Sequence, residues 1–408
     1  MSCGNKTSCC PELVVPAGDW PSLVTAVESG ANSVYFGIKT INMRNLAVNF
    51  ELSELSKVVE LLHKNRVNAY LALNINVKNS ELIKISKILT AAKACGIDAI
   101  ILWDKAVMKM ALALGLNVHL STQAGVSNKL AAEYYANEGV SRIVLARECS
   151  LTDIKDIAGH LSSKRLNCGI EVFVHGAMCV SISGRCFLSQ ESFNKSANRG
   201  ECLQPCRREF IIKDIEGEAE YVIGKDYLLS PKDLCTIEIL DEIISAGVVA
   251  LKIEGRNRAP EYVGIVTCVY RRAVDIIAEN KKLTPKMKDE FMAELYKVYT
   301  RGFSTGFYTG SPDTDISRGL EHTRRKAFVG TVTKYYKNIS VAEVKVLDAG
   351  FKIGDELIFI GKHIPAIVIK VSSIQIKGET INSAERGQHV GVKVPRRVNA
   401  KDKVFIWT

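Results

Sequence analysis

Apolar residues fall along the first 258 positions in short runs of strand length, separated by longer stretches of helical period. The runs are LVVPA (13–17), SVYFG (33–37), NAYLALN (68–74), DAIILWD (98–104), NVHLST (117–122), RIVLA (142–146), EVFVH (171–175) and VALKIEG (249–255). Each is rich in Val, Ile, Leu or Tyr, as a strand buried on both faces requires. Between them, stretches such as PSLVTAVESG, LSELSKVVELLHKN and SELIKISKILTAAKACG carry helical patterns. Asp19, with Pro21 just behind it, reads as the N-cap of the first helix. Eight strands, each followed by a helix, predict a (β/α)8 barrel of the TIM type. No GxGxxG follows an early strand, so a dinucleotide site has no support.

The seventh crossover breaks the rhythm. Residues 176–247 separate the seventh run from the eighth, far more than one helix needs. Active sites of such barrels sit at the C-terminal ends of the strands. An insertion leaving there should roof the barrel mouth. After the eighth run comes a long helical stretch, PEYVGIVTCVYRRAVDIIAENKK, and a second helix near 285–299. RGFSTGFYTGSPDTDISRG then reads as a linking loop. From Phe328 the period changes to short alternating strands divided by turn signals, which predicts a small all-β barrel. The expected organisation is a polar tail (1–11), a barrel domain with its insertion (12–310), a linker (311–326) and a β-barrel domain (327–408).

Bulk composition adds three points. An apolar fraction of 47% with 24% charged residues is that of a folded globular chain. The polar start MSCGNKTSCCPE does not read as a secretory signal, and no segment approaches the length of a membrane span. A cytoplasmic location without membrane contact is therefore expected. The net charge of +10 is uneven: residues 318–408 hold 17 Lys/Arg against 8 Asp/Glu, leaving +1 for the rest. Such asymmetry fits either a polyanionic partner, RNA being the usual one, or a solvated basic face.

The chain has 12 cysteines, and five fall in the insertion: Cys179, Cys186, Cys202, Cys206 and Cys235. In a reducing compartment, thiols bunched in this way point to a metal or an iron–sulfur cluster. Four-cysteine zinc sites usually come as two CxxC-like knuckles, and only the last pair here is close. Iron–sulfur clusters accept more irregular spacing. The strand ends add a polar ring of Asp19, Asn74, Asp104, Gln123, Arg147, Glu148, His175, Glu254 and Arg256, which together make a reasonable binding pocket. His175, Glu254 and Arg256 are the catalytic candidates, and Asn74, Gln123 and Arg147 the substrate-binding ones. His175 reads equally as a proton donor, a substrate ligand or a hydrogen-bonded structural residue. Protease motifs such as HExxH and GxSxG are absent.

The segment EVFVHGAMCVSISGRCFLS closely resembles the signature of the collagenase-like "unclassified peptidase" family. NRGECLQPCRREF, SPKDLC, LKIEGRNRAPEYV and TRGFSTGFYTG match further blocks of that family. The resemblance runs from about residue 12 to the C-terminus. Better understood members are oxygen-independent hydroxylases of the tRNA wobble uridine, of a 23S ribosomal cytidine or of the ubiquinone ring. The resemblance implies a [4Fe-4S] cluster held by Cys179, Cys186, Cys202 and Cys206, with Cys235 as an alternative fourth ligand. In the tRNA branch, which fits best, it implies formation of 5-hydroxyuridine with the small carboxylate prephenate as co-substrate. The final β-domain resembles the second domain of translation elongation factors, in keeping with tRNA, or ribosomal RNA, as partner. Two other readings stay open: a peptidase, as the family name says, and a non-catalytic iron–sulfur partner protein.

Overall fold

A computed structural model describes residues 10–213, 215–217, 220–222, 229–310, 317 and 319–408. Eight parallel strands form a closed barrel: β1 (Glu12–Ala17), β2 (Ser33–Phe36), β3 (Asn68–Ala72), β4 (Ala99–Leu102), β5 (Val118–Leu120), β6 (Arg142–Val144), β7 (Gly169–Ala177) and β8 (Ala250–Ile253). Each pairs with the next, and β8 pairs with both β7 and β1 to close the ring. All eight expected runs are therefore strands of one (β/α)8 barrel. Helices α1 (Trp20–Glu28), α2 (Leu55–Lys64), α3 (Leu82–Ala94), α4 (Lys105–Ala113), α5 (Lys129–Asn137) and α6 (Leu151–Ser163) cover the first six crossovers. Asp19 caps α1 as expected, its Oδ1 accepting from the Ser22 amide at 2.9 Å.

The main core lies between strands and helices. Inside the barrel, Val14, Tyr35, Tyr70, Ala72, Ala99, Ile101 and Ala250 pack together. An ion network shares the interior. Lys252 donates to Glu171 at 2.6 Å, and Arg142 bridges Glu171 (3.3 Å) and Glu12 (2.5 Å). Each of these charges has an opposite partner, which offsets the cost of burying it.

The insertion leaves from the top of β7. It carries the short helix α7 (Leu188–Phe193) and returns through an antiparallel strand, Asp233–Cys235, laid on the end of β7. Helix α8 (Leu240–Ser245) then completes the seventh crossover. After β8 come α9 (Pro260–Ala278) and α10 (Pro285–Leu295). The glycine-rich stretch that follows is only partly a linking loop. Phe303–Ser304 adds a strand beside Asp233–Leu234, Arg301 pairs with buried Asp233, and Tyr308 donates to the Phe173 carbonyl. Residues 301–308 thus belong to the barrel. Most of the expected linker (311–316 and 318), and residues 1–9 of the tail, lie outside the described residues.

The expected C-terminal β-barrel takes the form of an eight-stranded antiparallel sheet around its own core. Its strands are β9 (Lys326–Tyr336), β10 (Val341–Val346), β11 (Glu356–Gly361), β12 (Ile364–Lys370), β13 (Ile374–Ile376), β14 (Glu379–Ile381), β15 (His389–Lys393) and β16 (Lys403–Trp407). It packs on α1 and α9 through β12, and the Ala366 amide donates to Thr25 Oγ1 at 2.9 Å. No helix among the described residues is long and apolar enough to cross a membrane.

Candidate active site at the barrel mouth

The C-terminal ends of the strands and the underside of the insertion enclose a cavity of about 160 Å³. Cys179, Cys186, Cys202 and Cys206 all line it, together with Asn74, Gln123, Arg147, Glu254 and Arg256. Four cysteines and five strand-end residues thus share one space.

Local packing fixes the roof. Gly200 has a left-handed φ of 82°, and a Cβ there would lie 2.1 Å from the Asn42 carbonyl oxygen. Only glycine lets the insertion dock this closely on the loop after β2. Asn198 accepts from the Cys186 amide at 3.3 Å and donates to the Cys186 carbonyl at 3.4 Å. Arg207 ties the roof to the return strand through the Ser230 hydroxyl (2.7 Å) and the Pro231 carbonyl (3.0 Å).

The thiols are half-buried and carry backbone donors suited to thiolates. The Ser181 amide points at Cys179 Sγ (3.5 Å), and the Leu188 amide at Cys186 Sγ (3.4 Å). Burial pushes the Cys202 and Cys206 thiols above their ordinary value, and the neighbouring sulfurs add to the shift. A bound metal reverses that preference, because a coordinating thiol is deprotonated. Among the described residues, no three His, Cys, Asp or Glu side chains stand close enough to hold a single metal ion.

The lower walls are cationic. Arg44, Arg147, Arg207, Lys252, Arg256, Arg258 and Arg301 line the cavity, against the one carboxylate of Glu254 among the described lining residues. Glu254 accepts from Arg44 at 2.7 Å and from the Tyr35 hydroxyl at 3.1 Å. Burial opposes its charge, but Arg44, Arg147 and Arg256 outweigh burial and hold the carboxyl at about 2. Arg256 is 4% exposed and donates to Asn42 at 3.0 Å, while its Nε is buried without a partner. Burial lowers its pKa to about 10, which leaves it charged at neutral pH. Arg147 makes no direct ion pair among the described residues, acts on Glu254 through its charge, and lies 4.3 Å over the Phe173 ring. Asn74 donates its amide to Gln123 Oε1 at 3.3 Å, a neutral pair in the lining of the same cavity.

Four expected candidates stand apart. Asp19 and Asp104 are helix caps, and Glu148 is exposed. His175 does not line the cavity. It lies behind the barrel wall among the rings of Tyr262, Tyr270 and Phe303, at 5.4–6.0 Å. The cause is a bulge: between Lys252↔Phe173 and Ile253↔His175 the pairing slips by one residue. Plain alternation would aim His175 inward with Phe173, and the slip turns it outward. Burial, with Arg258 nearby, lowers the His175 pKa to about 3. Cys235, paired with His175 across the sheet, shares this location. It touches Tyr270 and Met292, away from the other four thiols, and burial raises it to about 11.

Residues 18–318 match the family described as Peptidase family U32. The chain belongs to peptidase family U32. Over 97% of its length the U32 chain is 39% identical to an uncharacterized protease of Methanocaldococcus jannaschii, covering 98% of that protein. It is 36% identical to a protein named collagenase of Porphyromonas gingivalis, with 97% of each covered. It is 33% identical to a tRNA hydroxylation protein of Bacillus subtilis, over 89% of this chain and 86% of that one.

Sequence reasoning missed several residues of this U32 cavity. Lys252 was legible: a charge inside the apolar run VALKIEG either breaks the strand or faces a polar interior. Arg44, Arg207 and Arg301 carry no local signal, because loops far apart in the chain bring them to the mouth.

Proposed function

We propose that this U32 protein is an iron–sulfur-dependent, oxygen-independent hydroxylase of an RNA base. The specific reaction is conversion of the tRNA wobble uridine to 5-hydroxyuridine, with prephenate as co-substrate. One observation carries the reading: the four insertion cysteines line the same cavity as Arg147, Arg256 and the Asn74–Gln123 pair. A relative named for tRNA hydroxylation, aligned over most of both chains, supports it.

Cys179, Cys186, Cys202 and Cys206 would hold a [4Fe-4S] cluster. Thiols set around a cavity wall with amide donors suit a multi-iron cage better than one zinc ion. When bound, the cluster supplies one-electron chemistry. The other roles belong to side chains. Arg147 and Arg256, each with unpaired donors, take the carboxylates of prephenate in charge-assisted bonds. Asn74 and Gln123 present amide groups to the edge of an unstacked base. Glu254, locked as an anion by Arg44, orients the cationic wall. The roof excludes water, which strengthens each of these contacts.

The peptidase reading has the names of relatives in its favour. The described residues lining the cavity include no histidine to activate a nucleophile. Nucleoside mass spectrometry of tRNA and ribosomal RNA from cells lacking the protein tests the proposal. It should show loss of 5-hydroxyuridine from tRNA alone, restored by wild type and not by Arg147→Ala. Unchanged nucleosides in both RNA pools would remove the hydroxylase reading.

A further inference from the structure

A second cavity, of about 360 Å³, opens where the β-domain meets the barrel. Its walls come from the turn after β8, the first turn of α9 with Glu261 and Tyr262, the segment after α10, the approach to β9 and its first residue, and Trp407 of β16. Asn257 and Arg258 line both this space and the cavity under the cysteines, so the two meet at a shared wall.

The charges in this cleft divide into used and free. Arg324 is paired with Glu356 and Lys326 with Glu261, and Arg258 stands 4.0 Å from Asp233. Lys297 and Arg325 have no acidic partner among the described residues, yet both line the cleft. Beside them is a flat stack. Arg258 lies 3.8 Å over the Tyr299 ring, and Tyr299 stacks on His322 at 5.8 Å with 21° between the planes. Burial, helped by Arg325, lowers the His322 pKa, so the ring is neutral at physiological pH. Two unpaired cations next to an aromatic platform match the chemistry of a nucleotide, a phosphate joined to a flat base.

We propose that this cleft holds a nucleotide flanking the base under the cysteine roof, with its phosphate between Lys297 and Arg325 and its base on His322. The strand would then turn past Arg258 into the mouth. This inference rests on the reading of the protein as an RNA-base enzyme. It adds a site that fixes where the strand runs and which neighbour of the target base is gripped.

The test is fluorescence anisotropy of a labelled anticodon stem-loop RNA with the full chain, measured across salt concentrations. Lys297→Glu and Arg325→Glu should each weaken binding about three- to tenfold and lower the slope of log affinity against log salt by about 0.7. His322→Ala should weaken binding about tenfold and leave that slope unchanged. Lys64→Glu, the same charge change at the far end of α2, should stay within about twofold of wild type. Wild-type protein that binds no RNA would overturn both the cleft and the hydroxylase reading. Wild-type binding with all three cleft variants unaffected would overturn the cleft alone. A loss in Lys64→Glu equal to that in Lys297→Glu would also overturn it, since binding would then follow net charge.

Discussion

Arg44 and Glu254 join the loop after β2 to the end of β8 by two bonds to one carboxylate oxygen, at 2.7 and 3.1 Å from Nη2 and Nε. The pair links elements on either side of β1 at the mouth of the barrel, and both side chains line the cavity. Glu254 is thereby an anchor for cations and a poor general base.

Glu254→Gln should cost about 3 kcal/mol, because it leaves Arg44, Arg147 and Arg256 facing one another without a counter-charge. The pH dependence follows from the lowered carboxyl. Its folded value of about 2 lies below the ordinary 4.5. Its stabilisation is therefore complete above about pH 4.5 and fades as pH falls toward 2. Chemical denaturation from pH 7 to 2.5 should show the gap between wild type and Glu254→Gln narrowing only below about pH 4.5. A gap that stays constant into that range would refute the ion-pair account.

His175 sits on the far side of the wall, neutral and ringed by aromatics. His175→Leu should retain hydroxylation within about threefold, with a modest loss of stability of about 1 kcal/mol. The pH–rate profile of wild type should show no limb from this imidazole between pH 5 and 8, since its pKa is lowered to about 3. An abolished reaction in a folded, iron-replete His175→Leu protein would restore it as a proton carrier.

The contrast between His175 and Glu254 shows what the sequence makes legible. Strands of a parallel barrel are buried on both faces, so they read as near-continuous apolar runs, and all eight stand out. Thiol clustering and strand-end positions are local, so the roof and five mouth residues could be named in advance. The side a residue faces depends on pleat register, which one bulge reverses at Val174–His175. No composition marks that bulge. Arg44 is equally silent, because its partner lies 210 positions away.

The cysteines separate into four and one. Protein isolated without oxygen should hold about four irons per chain. Alanine at Cys179, Cys186, Cys202 or Cys206 should remove the iron and its visible absorption. Cys235→Ala should keep both and lose about 1 kcal/mol of stability, because this thiol packs against Tyr270 and Met292. Iron lost from Cys235→Ala but kept in Cys206→Ala would exchange their roles. Stoichiometric zinc in the wild type would replace the cluster altogether.

The basic C-terminal surface divides in the same way between structure and binding. Arg324, Arg325, Lys326, Arg396 and Arg397 are five of the 17 Lys/Arg that make residues 318–408 basic. Lys326 reaches across the domain junction to Glu261 on α9 at 2.6 Å, and Arg396 reaches Glu28 on α1 at 2.5 Å. Glu261 is 8% exposed, so losing its cation strands a nearly buried carboxylate. Lys326→Glu should therefore loosen the junction, visible as faster hydrogen exchange along α9 and β9 and a lower melting temperature. Arg396→Glu should do so weakly, since the Arg396–Glu28 pair is half exposed and worth about 0–1 kcal/mol. Arg397→Glu, which breaks no pair among the described residues, should leave exchange unchanged and alter only salt-dependent RNA affinity. Equal effects of all three on RNA affinity, with no change in exchange, would show that the junction pairs carry no structural load.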